Sequence, residues 1–159
     1  MSKTTNTYTI ATAVVCVVFP ILVGALSSYL TSNAMMSFVQ MKKPPLAPPS
    51  FLFPVVWTLL YIMMGLSSYF IITSDSSRKY VGILLYLGQL FFNFVWSLIF
   101  FRLESYIIAA IWLFILIIMI VALIVNTSHY SKAAMYLLLP YILWCSFALY
   151  LNLGIAVLN

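Results

Sequence analysis

Long apolar runs, separated by short polar segments, organise this chain. They lie at about residues 10–30, 51–72, 80–101, 106–125 and 133–158, and none carries an Asp, Glu, Lys, Arg or His near its middle. Each is about 20 residues or longer, enough for a helix to cross a hydrocarbon core of roughly 30 Å. Barrel strands alternate apolar and polar positions over about ten residues, so the continuity of these runs excludes them. The pattern predicts an all-α membrane protein, a five-transmembrane-helix bundle, with residues 1–159 forming a single domain.

Composition narrows this further. The chain is 65% hydrophobic and only 6% charged, against about 25% charged in soluble domains. The charges fall between the runs: Lys42 and Lys43, then Asp75, Arg78 and Lys79, then Arg102 and Glu104, then Lys132. The net charge of +5 is thus spread in ones and twos, which suits anchoring at the membrane surface and not a contiguous basic patch. The lipid bilayer is the expected partner, and no nucleic acid is. Lys3, Arg78, Lys79 and Lys132 on one side face Lys42, Lys43 and Arg102 on the other, a balance that leaves orientation open. The first run exceeds the usual apolar core of a leader, about 7 to 15 residues, and is read as a span. Its Pro20, Gly24 and Ser28, spaced four apart, form a small-residue stripe suited to helix packing.

Groups able to do chemistry are scarce. Asp75, Glu104 and His129 sit between the runs, and Cys16 and Cys145 are isolated in different runs. No metal site or disulfide framework is indicated. Ion-coupled carriers keep ionisable side chains inside the membrane, and the parts for hydrolysis or phosphoryl transfer are missing.

The spans do contain uncharged polarity, in register. In the third run Gln89, Asn93 and Trp96 recur at helical spacing, continued by Ser97 and Phe100. The second run has Trp57, Tyr61, Met64 and Ser68 with Gly65 beside them; the fifth has Tyr141, Trp144, Cys145, Ala148 and Asn152. An amide facing lipid would leave its hydrogen bonds unmade, so these stripes should face the bundle interior, either as a seam between helices or as the wall of a pocket. Trp112 stands apart in an otherwise aliphatic run and reads as a lipid-facing belt residue; Tyr8, Tyr29, Tyr80, Tyr106, Tyr130 and Tyr136 read as interfacial anchors.

The segment before the second run is stiff. Five of the seven prolines fall between Pro44 and Pro54, and each fixes its own φ and extends the residue before it. Such a loop acts as a semi-rigid cap over whatever lies beneath.

Three motifs together resemble the translocator protein family, also called tryptophan-rich sensory proteins or peripheral benzodiazepine receptor relatives. They are Lys43-Pro44-Pro45-Leu46-Ala47-Pro48-Pro49 leading to Val56-Trp57-Thr58-Leu59-Leu60-Tyr61, Gln89-Leu90-Phe91-Phe92-Asn93-Phe94-Val95-Trp96-Ser97, and Pro140-Tyr141-Ile142-Leu143-Trp144 leading to Phe147-Ala148 and Leu151-Asn152. The resemblance runs along essentially the whole chain and implies a bacterial member in the cell membrane, commonly dimeric, hence a homodimer. It implies a pocket under the first loop that accepts porphyrins, benzodiazepine-type drugs and, in some members, sterols. By motif position it marks Trp57, Asn93 and Trp144 as ligand contacts, Tyr61, Gln89, Trp96, Ala148 and Leu151 as further candidates, and Pro44, Pro45, Leu46, Pro48 and Pro49 as the lid. Many relatives have a tryptophan where this chain has Leu46, which removes a stacking surface from the lid. The sterol motif of animal members needs a basic residue shortly after a tyrosine; none follows Tyr150, so sterol recognition there is expected to be weak or absent.

The leading expectation is a membrane protein that binds a protoporphyrin-type tetrapyrrole or another planar apolar molecule and serves as sensor, carrier or scavenger. It needs no metal and no resident cofactor. The enzymatic alternative is light- and oxygen-dependent porphyrin degradation, in which Trp57 and Trp144 hold the porphyrin, itself the photosensitiser. A passive transporter or sterol carrier has less support, because no polar stripe continues through the first and fourth runs.

Overall fold

A computed structural model of the protein describes residues 2–32 and 40–159, with side chains from Thr9 onward. Among the described residues five long helices follow one another: α1 Ser2–Thr31, α2 Leu52–Ile72, α3 Lys79–Ser97, α4 Tyr106–Ser128 and α5 Lys132–Leu158. All five are long and apolar enough to cross a membrane, and no strand occurs among the described residues. The fold is the helical membrane bundle expected, and the protein is a multi-pass integral membrane protein. Helix ends differ from the apolar runs by a few residues because a helix continues past its apolar part while its backbone bonds are made. Thus α4 runs on to Ser128 through Asn126 and Thr127, and Thr127 Oγ1 donates to Leu123 O. The start of α1, which includes Lys3 and Tyr8, lies outside the described side chains.

Local chemistry explains the breaks between helices. Pro54 stands in the first turn of α2, where a missing N–H costs nothing. Ser131 caps α5, its Oγ accepting from the Ala134 amide at 3.2 Å. At the far end of α3 the coil widens into a π-helical turn, Leu98–Arg102, closed by the Leu103 amide donating to Leu98 O at 3.0 Å. Glu104 then takes a φ of 51° and reverses the chain into α4.

Helix α1 packs on α2, α2 on α5, α5 on α4 and α4 on α3, and a thinner contact between α3 and α1 closes the ring. The core is the inward line of each helix: Leu113, Leu116, Ile120 and Leu123 on α4, Leu138, Tyr141 and Cys145 on α5, and Met64 and Ile71 on α2, all fully shielded. Helices α1 and α2 approach closely where they cross. A Cβ on Gly65 would lie 2.5 Å from the Val17 Cα and 2.7 Å from the Cys16 carbonyl oxygen, and a Cβ on Gly24 would run into the Tyr61 ring. Of the small residues spaced along the first run, Gly24 serves close approach and Pro20 is buried, whereas Ser28 is exposed.

Three readings of single residues change. Trp112 does not face lipid as a belt residue: its Nε1–H donates to Phe92 O at 2.9 Å and its ring stacks on Phe92 at 4.4 Å. It fastens α4 to α3, because an indole N–H with a carbonyl in reach is better satisfied there than in hydrocarbon. Tyr106 and Tyr130 also turn to protein partners, Met41 Sδ and Asn126 Oδ1. Tyr29, Tyr80 and Tyr136 are exposed, as anchors should be.

The Gly65 contact gives a direct check on this architecture. Gly65→Ala meets backbone that cannot rotate aside, so it should destabilise the bundle by about 1 to 3 kcal/mol. A clearly lowered thermal midpoint in detergent is expected, and an unchanged midpoint would show that α1 and α2 do not cross here.

Candidate functional site

The polar and aromatic stripes converge at the end of the bundle where α1 leads toward α2. There α1, α2, α3 and α5 enclose a cavity of about 130 Å³, roofed by the proline loop. Helix α2 supplies Phe53, Pro54, Trp57 and Tyr61; α3 and its π turn supply Trp96, Ser97, Phe100 and Phe101; α5 supplies Ala148, Leu151, Asn152 and Ile155. Helix α1 adds Gly24, Ser27, Ser28 and Thr31, a side small enough to leave the space open.

The aromatic walls are held in fixed relation. The Trp57 ring lies 5.7 Å from Tyr61, 6.2 Å from Trp96 and 6.4 Å from Tyr141. Trp96 is held by its Nε1–H donating to Asn152 Oδ1 at 3.3 Å, and Asn152 Nδ2 donates to Tyr106 O at 2.8 Å. The π turn has a role here. Adjacent side chains on an α-helix diverge by about 100°, and the wider turn lets both Phe100 and Phe101 reach the cavity beside Trp96, at 5.5 and 6.2 Å.

Below the cavity the floor is a hydrogen-bonded triad from three helices. Tyr61 Oη donates to Asn93 Oδ1 at 2.8 Å, and Asn93 Nδ2 donates to the Tyr141 hydroxyl at 3.1 Å. Asn93 is 1% exposed, and both its amide atoms are engaged by these phenols.

The roof is fastened to α5. Lys43, Pro44, Ala47 and Pro48 face the cavity. Tyr150 Oη donates to Pro45 O at 2.7 Å, and Asn159 pairs with Lys42, accepting from its amide at 3.1 Å and donating to its carbonyl at 3.0 Å. Gly154 lies directly under Pro44, whose ring carbons would be 2.6 Å from any Cβ there. The loop reverses at Pro44–Ala47, where the Ala47 amide donates to Pro44 O at 3.3 Å. Leu46 occupies the third position with φ 69° and is 81% exposed. That conformation favours Gly or Asn and strains a leucine.

Among the residues marked by sequence, the structure brings Trp57, Tyr61, Trp96, Ala148 and Leu151 to the cavity, with Pro44 and Pro48 above. Pro45, Leu46 and Pro49 belong to the roof without lining the cavity. Asn93 lies beneath it, joined to it through Tyr61. Gln89 is fully buried one turn further down, and neither of its amide atoms has a hydrogen-bond partner among the described residues. Trp144 does not face Trp57 across one cavity. It lines a separate cleft on the outer side of α2 and α5 with Val56, Leu60, Met63 and Pro140. The partition is Phe53, which lines the cavity and meets the Trp144 ring edge-on at 5.9 Å. Phe53, Phe101 and the hydroxyl-bearing side of α1 were not marked as site residues. Ser27 and Thr31, one and two turns beyond Gly24, were the available signal.

A bundle of five membrane-spanning helices with an aromatic cavity under a fastened proline roof defines a class: a polytopic membrane protein with an enclosed apolar cavity at one end. The TspO/MBR family pattern matches residues 16–158, and the chain belongs to that family. Its relatives include the tryptophan-rich protein TspO of Chlorobaculum tepidum, 36% identical over 153 residues that cover 94% of this chain and 97% of the relative. The tryptophan-rich protein TspO of Archaeoglobus fulgidus is 34% identical, covering 86% and 90%. The translocator protein of Ovis aries is 31% identical, covering 79% and 76%.

The triad predicts how Asn93 behaves. Asn93→Leu strips two buried phenols of a partner, and membrane hydrogen bonds are worth about 0.6 to 2 kcal/mol each. A drop in thermal stability is expected, larger than the change in affinity of any ligand held above the Tyr61 ring. Unchanged stability with a large loss of binding would place the amide in contact with ligand.

Proposed function

We propose that the protein binds protoporphyrin-type tetrapyrroles in the roofed cavity, accepts benzodiazepine-type ligands at the same place, and serves as a sensor, carrier or scavenger of the bound molecule. The observation that carries this reading is the Trp57 ring set among Tyr61, Trp96 and Tyr141 beneath the proline roof. Flat aromatic faces around an apolar space suit a flat, apolar macrocycle, each aromatic pair contributing about 0.5 to 1.5 kcal/mol beyond area burial. Lys43 on the rim adds a cation where the carboxylates of a porphyrin would emerge. The reading requires no resident cofactor or metal. It includes a homodimer in the bilayer, which cross-linking in native membranes would reveal.

Size supports a moving part. A cavity of about 150 Å³ holds one benzene ring, so the present 130 Å³ is too small for four linked pyrroles. Binding then needs the roof to lift or Phe53 to turn. The second motion joins the cavity to the cleft holding Trp144 and brings that indole within reach.

A second reading, light-driven degradation of the bound porphyrin with dioxygen as oxidant, is favoured by the Trp57 and Trp96 rings lying 6.2 Å apart with Trp96 hydrogen-bonded to Asn152. Two neighbouring indoles can relay an electron to or from an excited ligand without any acid–base pair.

Titration of purified protein with protoporphyrin in the dark tests the first reading. Trp57→Ala should weaken binding more than tenfold, since lost apolar contact adds to lost stacking, and Trp57→Phe should keep most of it. Trp144→Ala should cost less than Trp57→Ala, because Phe53 stands between. Equal affinity of Trp57→Ala and wild type would sink the assignment. Illumination tests the second: conversion that depends on protein and falls in Trp57→Phe supports it, whereas conversion at the rate of free porphyrin removes it.

A further inference from the structure

The opposite end of the bundle holds a second cavity, separate from the roofed one. It lies where the first half of α1 passes the end of α2 and the start of α3, with a volume of about 130 Å³. Its deep wall is Cys16, Ser68, Ile71 and Tyr86, all buried; its outer rim, Phe19 and Leu87 among others, is exposed on the surface that meets lipid.

One group in this wall is out of keeping with the rest. Tyr86 is 5% exposed, and among the described residues its hydroxyl makes no hydrogen bond of standard geometry. It lies beside Ser68 and Cys16, and the Ser68 hydroxyl, which donates to Gly65 O at 2.8 Å, is close enough to interact with the phenol without reaching hydrogen-bond geometry. A buried hydroxyl left unpaired costs about 1 to 3 kcal/mol, and in a membrane no bulk water can step in. The phenol proton calls for an acceptor, in a space bounded, apart from Cys16 and Ser68, by aliphatic and aromatic carbon.

We propose that this cavity is a second binding site, loaded from the bilayer, for uncharged apolar molecules that present a single carbonyl oxygen. The carbonyl accepts from Tyr86 Oη while one ring or a short branched chain fills the space against Ile71 and Phe19. The remainder of the ligand stays in lipid beyond the rim. Depth fits this arrangement. Tyr86 is seven residues into α3 from Lys79, about 10 Å below the charged start of the helix at 1.5 Å per residue. A charged group would be costly at that level and an uncharged carbonyl is not. The site shares no lining residue with the roofed cavity, so it stands or falls independently of porphyrin binding.

Benzophenone is a suitable probe, since it carries one carbonyl between two rings and inserts into nearby C–H bonds on illumination. Protein in lipid nanodiscs is titrated with it, irradiated, digested and mapped by mass spectrometry. Saturable adducts are expected on residues 15–19, 68–72 and 83–87. They should fall by about fivefold or more in Tyr86→Phe, the size of one net hydrogen bond, and vanish in Ser68→Leu, which fills the space. They should be unaffected by Trp57→Ala. Tyr86→Phe without probe should be at least as heat-stable as wild type, because it deletes an unsatisfied group. Adducts spread evenly over the lipid-facing surface, equal labelling of Tyr86→Phe, or a less stable Tyr86→Phe showing that an internal water already pairs the hydroxyl, would each overturn the proposal.

Discussion

In hydrocarbon, a polar group must find its partner inside the protein, and the Tyr61–Asn93–Tyr141 triad is where this chain meets that constraint most fully. One amide, with both its atoms engaged, ties α2, α3 and α5 at a single level. Because Tyr61 spends its hydroxyl downward on Asn93, its ring is held upright as a cavity wall, and Trp57 lies against it at 5.7 Å. The same ring packs where Gly24 leaves room for it, so α1 approaches as closely as the absent side chain allows. Floor, wall and helix spacing thus depend on one pair of hydrogen bonds, and the site inherits the rigidity of the core beneath it.

The roof obeys a different rule. Pro44, Pro45, Pro48 and Pro49 cannot donate backbone hydrogen bonds, so the roof's fastening to the bundle comes from few groups: Tyr150 to the Pro45 carbonyl, Asn159 to the Lys42 amide and carbonyl, and a glycine that lets Pro44 lie flat. Prolines keep the loop's shape when it is detached, and few bonds need to break to detach it. Leu46, strained at φ 69°, stores energy at the one turn of this roof. A stiff flap on breakable fasteners is what a site needs if its closed volume is smaller than its ligand.

Much of this was legible in the sequence because helical period and membrane chemistry point the same way. Stripes of Trp57, Tyr61, Met64 and Ser68, and of Gln89, Asn93 and Trp96, face inward because an amide or indole facing lipid is unpaired. What was not legible follows from angles and reach. Trp144 is about 60° away from Tyr141 around α5 at 100° per residue, enough to put it past Phe53 into the outer cleft. Trp112 reads as a lone aromatic in an aliphatic helix, and only the position of α3 shows that Phe92 O is there to receive its N–H. Phe101 enters the cavity through a π turn that no periodicity rule anticipates. Gln89 shows the limit of the argument from polarity: it faces inward as required, yet joins neither the triad nor the cavity.

Polar groups left without partners therefore carry different meanings depending on what adjoins them. Among the described residues, the Trp144 indole N–H is buried without a partner beside the outer cleft, and the Tyr86 hydroxyl is buried without a hydrogen bond of standard geometry beside the second cavity. Gln89 is unpaired with no cavity of those described against it. Where a space adjoins the orphan, a molecule that brings the missing atom regains what the unpaired group costs, and selectivity follows from that atom's chemistry. At Trp144 and Tyr86 the missing atom is an acceptor, which purely hydrocarbon lipid does not bring. A bundle that satisfied every polar group internally, as the Asn93 triad does, would be more stable and would have nothing left with which to recognise a ligand.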